Sequence, residues 1–91
     1  MQFFCYIVEC ADGTFYTGWT TDPDRRTRQH NKGKGARYTL QHGPVKLVYV
    51  EEVQDRHSAM LREISIKKLT HAQKQRLVQA SILQSKNNLP G

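Results

Sequence analysis

Phe3-Phe4-Cys5-Tyr6-Ile7-Val8-Glu9-Cys10-Ala11-Asp12-Gly13-Thr14-Phe15-Tyr16-Thr17-Gly18-Trp19-Thr20 decides the fold. From Phe3 to Val8 every residue but Cys5 is aromatic or β-branched, and a second such run spans Thr14 to Thr20. Asp12-Gly13 between them supplies turn chemistry, so the segment reads as a β-hairpin. Its register has a consequence for chemistry. A two-residue turn at Asp12-Gly13 would send Tyr6 and Tyr16 to opposite faces. A three-residue turn, Ala11-Asp12-Gly13 with Gly13 in the left-handed region, brings Tyr6, Val8, Tyr16 and Gly18 to one face, and this bulged turn is the expected one.

Outward from the hairpin, Asp22-Pro23 is a helix start, because the Asp side chain caps free N–H groups and Pro has none to waste. A helix is expected from Pro23 to Asn31. Lys32 to Pro44, with glycines at 33, 35 and 43, reads as a loop of about a dozen residues. Val45 to Val53 reads as a third strand. From Asp55 to Leu69 the apolar positions Met60, Leu61, Ile64, Ile66 and Leu69 predict a helix buried on more than one side. Thr70 and Gln73 form a capping box that starts a last helix, with Ala72, Leu77, Val78 and Ile82 turned inward. The expected architecture is α+β, a three-stranded, mostly antiparallel sheet flanked by three helices. One domain covers residues 1–84, and 85–91 form a frayed tail.

The 91 residues suit a single core. A net charge of +6 favours a polyanionic partner. Cys5 and Cys10 sit an odd number of residues apart on one strand, so they face opposite ways and cannot bridge, which fits a reducing compartment. No apolar stretch of about 18 residues occurs, and the start lacks the basic region of a secretory signal. A cytoplasmic protein without a membrane partner is expected.

The first helix is anomalous. Arg25-Arg26-Thr27-Arg28-Gln29-His30 has no apolar side chain with which to enter a core. Arg26 and His30, four apart, share one face, and Arg25 and Arg28 form a neighbouring cationic row. A solvated helix is the plain reading. The functional one is a guanidinium and an imidazole offered to a phosphate.

Cys5-Tyr6-Ile7, Tyr16-Thr17-Gly18, Arg26, His30 and Glu63 within Ala59-Met60-Leu61-Arg62-Glu63 resemble, in order and spacing, the GIY-YIG nuclease superfamily. The likeness runs from about Phe4 to Leu77, includes Lys34-Gly35-Ala36-Arg37-Tyr38-Thr39, and is to a small stand-alone bacterial member. Cys5 stands in place of the motif's first Gly, Thr17 in place of its Ile, and Thr27 where an apolar residue commonly follows the Arg.

The resemblance implies a metal-dependent endonuclease that hydrolyses phosphodiester bonds in DNA, with branched or damaged DNA in repair or recombination as candidate substrates. In that reading Glu63 holds one divalent cation, Mg2+ or Mn2+. Tyr6 is the general base, made acidic by Arg26 and the metal, with Tyr16 assisting. Arg26 stabilises the transition-state phosphate, and His30 bonds the phosphate or the base. Gly18 lets a phosphate approach the backbone, and Arg25, Arg28, Lys32, Lys34 and Arg37 track the nucleic acid. For Glu63 the plain alternative is a surface ion pair with Lys67 at i+4. His42, His57 and His71 lack ligand spacing and read as surface residues. Two other functions remain open: a non-catalytic nucleic-acid-binding module on the same scaffold, and a protein that docks an acidic partner. A protein partner that supplies specificity fits either nucleic-acid reading.

Overall fold

The computed structural model describes the backbone of residues 2–87 and the side chains of residues 2–81. The chain runs β1 (Phe3–Cys10), β2 (Phe15–Thr20), α1 (Pro23–Asn31), α2 (Arg37–His42), β3 (Val45–Val53), α3 (Arg56–Lys67) and α4 (His71–Asn87). The sheet order is β2-β1-β3, and both pairings are antiparallel.

The hairpin takes the bulged turn. Tyr6 pairs with Gly18 and Val8 with Tyr16. The Gly13 N–H donates to the Cys10 carbonyl at 2.9 Å, the Cys10 N–H donates to the Thr14 carbonyl at 2.8 Å, and Gly13 has φ +85°. That φ belongs to glycine, since a side chain there would crowd the following carbonyl. Tyr6, Val8, Cys10 and Tyr16 therefore share one face, where Val45 and Leu47 of β3 join them. Cys5 and Ile7 look the other way, toward Ile66 of α3 and Val78 of α4, with Phe15, Trp19, Leu69 and Leu77 around them. A register shift opposite Ile7 and Val8 lets Val48 and Tyr49, neighbours in sequence, pack into that second cluster together. Both cysteines are buried and free, one in each cluster.

Asp22 and Asp55 cap α1 and α3 by accepting from the backbone N–H groups of Arg25 and Ser58. Thr70 and Gln73 close the box that opens α4, with exchanged bonds of 2.9 and 3.2 Å. Asn31 clamps the end of α1 to β3 by exchanging two bonds with the Val45 backbone.

Four expectations need correction. The segment after α1 is not all loop, because Arg37–His42 form α2 and make four helices of the expected three. No side chain caps this helix, so its start carries no sequence signal. Second, α3 is buried along one side only. Ala59 and Ile66 are buried, whereas Met60, Leu61 and Ile64 are about half exposed, because the helix packs mainly on the sheet. Third, Ala72 is exposed in the first turn of α4, while Leu77 and Val78 do face the core. Fourth, α4 continues to Asn87, so helix covers the first residues of the expected tail. The side chain of Ile82 and residues 88–91 lie outside the described residues. Among those described, no helix is long and apolar enough to cross a membrane.

Candidate active site

The site forms where the Tyr6 face of the hairpin meets α1 and α2. Tyr6 is 1% exposed, and its phenol passes over Gly18, its cross-strand partner. A Cβ on Gly18 would stand 2.6 Å from Tyr6 Oη and 2.8 Å from Cζ. A close approach at Gly18 is made by the Tyr6 ring.

Tyr6 Oη lies 2.8 Å from His30 Nε2. His30 is itself 2% exposed, so α1 does contribute to the core, through a histidine whose polar atoms are both partnered. Its Nδ1 lies 2.7 Å from the hydroxyl of Thr39, a residue 1% exposed on α2. Tyr16 meets the imidazole edge-on, with ring centroids 5.4 Å apart, and stacks on Tyr38 at 6.0 Å. Tyr38 in turn stacks on His42 at 4.2 Å.

Arg26 is partly buried one turn before His30, and its guanidinium donates to Gln29 Oε1 at 3.1 Å. Arg26 lies close enough to Tyr6 to favour the phenolate, but burial outweighs it and pushes the phenol up to about 12. Arg26 thus acts in the expected direction on Tyr6, and burial opposes it. Burial first, and Arg26 second, press the His30 pKa down, which keeps the imidazole neutral.

Glu63 comes from the other side of the sheet. β2 is an edge strand, and α3 packs on β2 and β1. Ile66 enters the core behind the sheet, while Lys67 reaches the Tyr16 ring on the front, 5.8 Å from its centroid. Glu63, one turn earlier, is partly buried with Oε1 3.7 Å from Lys67 Nζ, too long for a hydrogen bond. Its charge helps to raise the Tyr6 pKa, so the carboxylate lies within electrostatic reach of the phenol. The i+4 pair and the site position therefore coexist.

Among the described residues no three His, Cys, Asp or Glu side chains gather into a cage for a metal. The donor set fits a hard cation held through the single carboxylate of Glu63, with water and phosphate oxygens completing the shell. His30 has both nitrogens engaged and is not free to ligate.

Tyr6, Tyr16, Arg26 and His30 are thus brought together, and Glu63 on α3 acts on the Tyr6 phenol through its charge. The cationic residues are not part of this cluster. Arg25, Arg28, Lys32, Lys34 and Arg37 are all exposed, and helical spacing turns Arg25 and Arg28 away from the side shared by Arg26 and His30. They form a rim. His42 bonds Asp12 at 2.9 Å and His71 stacks on Phe15 at 4.7 Å, both outside the pocket. His57 is exposed.

Thr39 and Gly35 went unread in the sequence. A Cβ on Gly35 would run into the imidazole of His30, so only glycine lets the chain pass over that ring. The available signal was a glycine and a hydroxyl residue a few positions beyond the helix that carries the histidine.

The family model of the GIY-YIG catalytic domain matches residues 2–76. A UPF0213 protein of Clostridium perfringens is 44% identical over 84 residues, covering 92% of this chain and 90% of its own. A UPF0213 protein of Desulfotalea psychrophila is 54% identical over 79 residues, covering 86% of this chain and 72% of its own. Among solved structures, the chain is similar to the solution structure of a UPF0213 protein from Bacillus halodurans, with a TM-score of 0.56 and 44% identity over 88% of this chain and 85% of that one. A solution structure of a protein from E. faecalis gives a TM-score of 0.60 at 38% identity, over 91% and 88%.

Proposed function

This chain belongs to the GIY-YIG catalytic domain family, a family of nucleases, and on that premise we propose that it is a divalent-metal-dependent endonuclease that hydrolyses phosphodiester bonds in DNA. The observation that supports the reading is the buried contact of Tyr6 Oη with His30 Nε2 at 2.8 Å, with the Arg26 guanidinium beside the phenol and the Glu63 charge within electrostatic reach of it. Two free, buried cysteines fit a cytoplasmic role.

Hydrolysis needs a proton taken from water, charge neutralised on phosphate, and a stabilised leaving oxygen. A phenol pushed up to about 12 is neutral at rest and is a poor sink for a proton. Its contact with His30 resolves this. As the water oxygen bonds to phosphorus, the water proton passes to Tyr6 Oη while the phenol's own proton passes to His30 Nε2. Tyr6 ends as it began, and His30 leaves the step as imidazolium. Tyr16, edge-on to the same ring, narrows the pocket on one side.

Arg26 offers its planar fork to the phosphate oxygens, on which negative charge grows. Glu63 would hold Mg2+ or Mn2+, which when bound supplies charge neutralisation for the phosphate and the departing 3′ oxygen. The departing oxygen takes its proton from solvent. The exposed cations of α1, the turn after it and α2 hold flanking phosphates, with branched or damaged DNA as the candidate substrate.

A panel of supercoiled plasmid, flapped, four-way and single-stranded DNA, incubated with Mg2+ or Mn2+, tests the reading. Cleavage that stops with EDTA is expected, and is absent from Glu63→Ala. Binding to the panel with no cutting under either metal overturns it in favour of the non-catalytic module.

A further inference from the structure

We propose that Thr39 is a positioning residue for the nuclease reaction, one that fixes His30 in the tautomer carrying its hydrogen on Nδ1, so that Nε2 faces Tyr6 as an acceptor. The inference rests on the nuclease reading for its use, but its geometry stands alone.

A threonine hydroxyl has one hydrogen to give. That of Thr39 donates to the Ala36 carbonyl at 2.9 Å, which leaves its lone pairs toward His30 Nδ1 at 2.7 Å. Nδ1 must then be the donor, and a neutral imidazole that donates at Nδ1 accepts at Nε2. The Ala36 N–H also donates toward Nδ1 at 3.4 Å, but this long bond competes with the 2.7 Å contact to Thr39 Oγ1, and the shorter one sets the proton. A continuous chain results: Tyr6 O–H to His30 Nε2, His30 Nδ1–H to Thr39 Oγ1, and Thr39 O–H to the Ala36 carbonyl.

The opposite tautomer would place a hydrogen between Nε2 and Tyr6 Oη, and the phenol could not pass its proton to the ring. With His30 2% and Thr39 1% exposed, water cannot replace the threonine. The missing side chain of Gly35 completes the fixation by letting the backbone close over the imidazole. This gives α2 its purpose, since the helix sets Thr39 three residues after the carbonyl that takes its hydrogen.

The test compares wild type, Thr39→Ser, which keeps the hydroxyl, and Thr39→Val, which keeps the shape without it. Nitrogen-15 spectra of the His30 ring in the free protein are expected to show a protonated Nδ1 and an acceptor Nε2 in wild type and Thr39→Ser. A mixture or inversion is expected in Thr39→Val. Plasmid cleavage by folded Thr39→Val should fall about 10- to 100-fold in kcat with KM unchanged, the range seen when the orienting partner of a functional histidine is removed. Thr39→Ser should retain most of the rate. A wild-type ring with its hydrogen on Nε2, or a Thr39→Val protein with the wild-type tautomer and rate, overturns the proposal. The wild-type spectrum decides the tautomer even if Thr39→Val does not fold. A wild type that cuts no DNA overturns the nuclease reading alone and leaves that spectrum to decide the tautomer.

Discussion

At Gly18 the absence of one methyl group decides where a phenol can lie. An alanine there meets Tyr6 Oη and Cζ inside van der Waals distance, while the strand itself accepts alanine, since Gly18 does not have a positive φ. Gly18→Ala should therefore leave the sheet intact, cost about 1–3 kcal/mol as overpacking, and push Tyr6 off His30. Cleavage should fall about 100-fold, as expected when a catalytic group is displaced by an ångström. Urea unfolding and plasmid nicking on one preparation check both halves. Thr17, next to it, faces the other way. Its buried hydroxyl finds no hydrogen-bond partner, because the threonine occupies a position where the motif has isoleucine and the surroundings are apolar.

Among the elements, the hairpin was the most legible. The two aromatic and β-branched runs with Asp12-Gly13 between them mark the hairpin, and the need for two tyrosines on one face selects the register. Helix starts were legible wherever a side chain caps them, at Asp22, Asp55 and Thr70. α2 was not, because Ala36 offers no capping atom and the glycines before it read as loop. With α2 went Thr39, so part of the site was hidden by a local lack of signal. The burial of α3 was overestimated because Met60, Leu61 and Ile64 satisfy a helical period yet find no element to cover them. The burial of Tyr6 was not legible for a different reason: sequence places Arg26 near the phenol, but the depth of burial that opposes it is a property of packing.

Asp12 joins two elements. Its carboxylate accepts from the Thr14 hydroxyl at 2.6 Å and the Thr14 N–H at 3.1 Å, and bonds His42 at the end of α2. The Thr14 bonds foremost, and His42 after them, lower its pKa from 3.8 to about 2. A carboxyl with a depressed folded-state pKa stabilises above its unfolded value and loses that contribution as pH falls through the folded one. Stability should thus drop between pH 3.8 and about 2, and Asp12→Asn should flatten that limb. Urea midpoints across this range measure it, and an unchanged limb in Asp12→Asn would remove Asp12 from the account.

For the whole molecule, the sheet works as a partition. One face is an ordinary apolar core. The other carries buried polar groups walled by α1 and α2, and Lys67 of α3 reaches round the edge strand to the Tyr16 ring. Arg26 enters this face, while Arg25, Arg28, Lys32, Lys34 and Arg37 stay exposed. A site built from parts of separate elements works as a unit, and groups acting as a unit are not additive when removed. Single-turnover nicking by Arg26→Ala, Glu63→Ala and the double variant, at one salt concentration, therefore tests the account most directly. If both groups serve one phosphate, each single variant loses nearly all of the metal-dependent rate and the double variant is little worse. Losses that multiply, or cleavage that survives either change, would mean that the guanidinium and the carboxylate do not share a reaction.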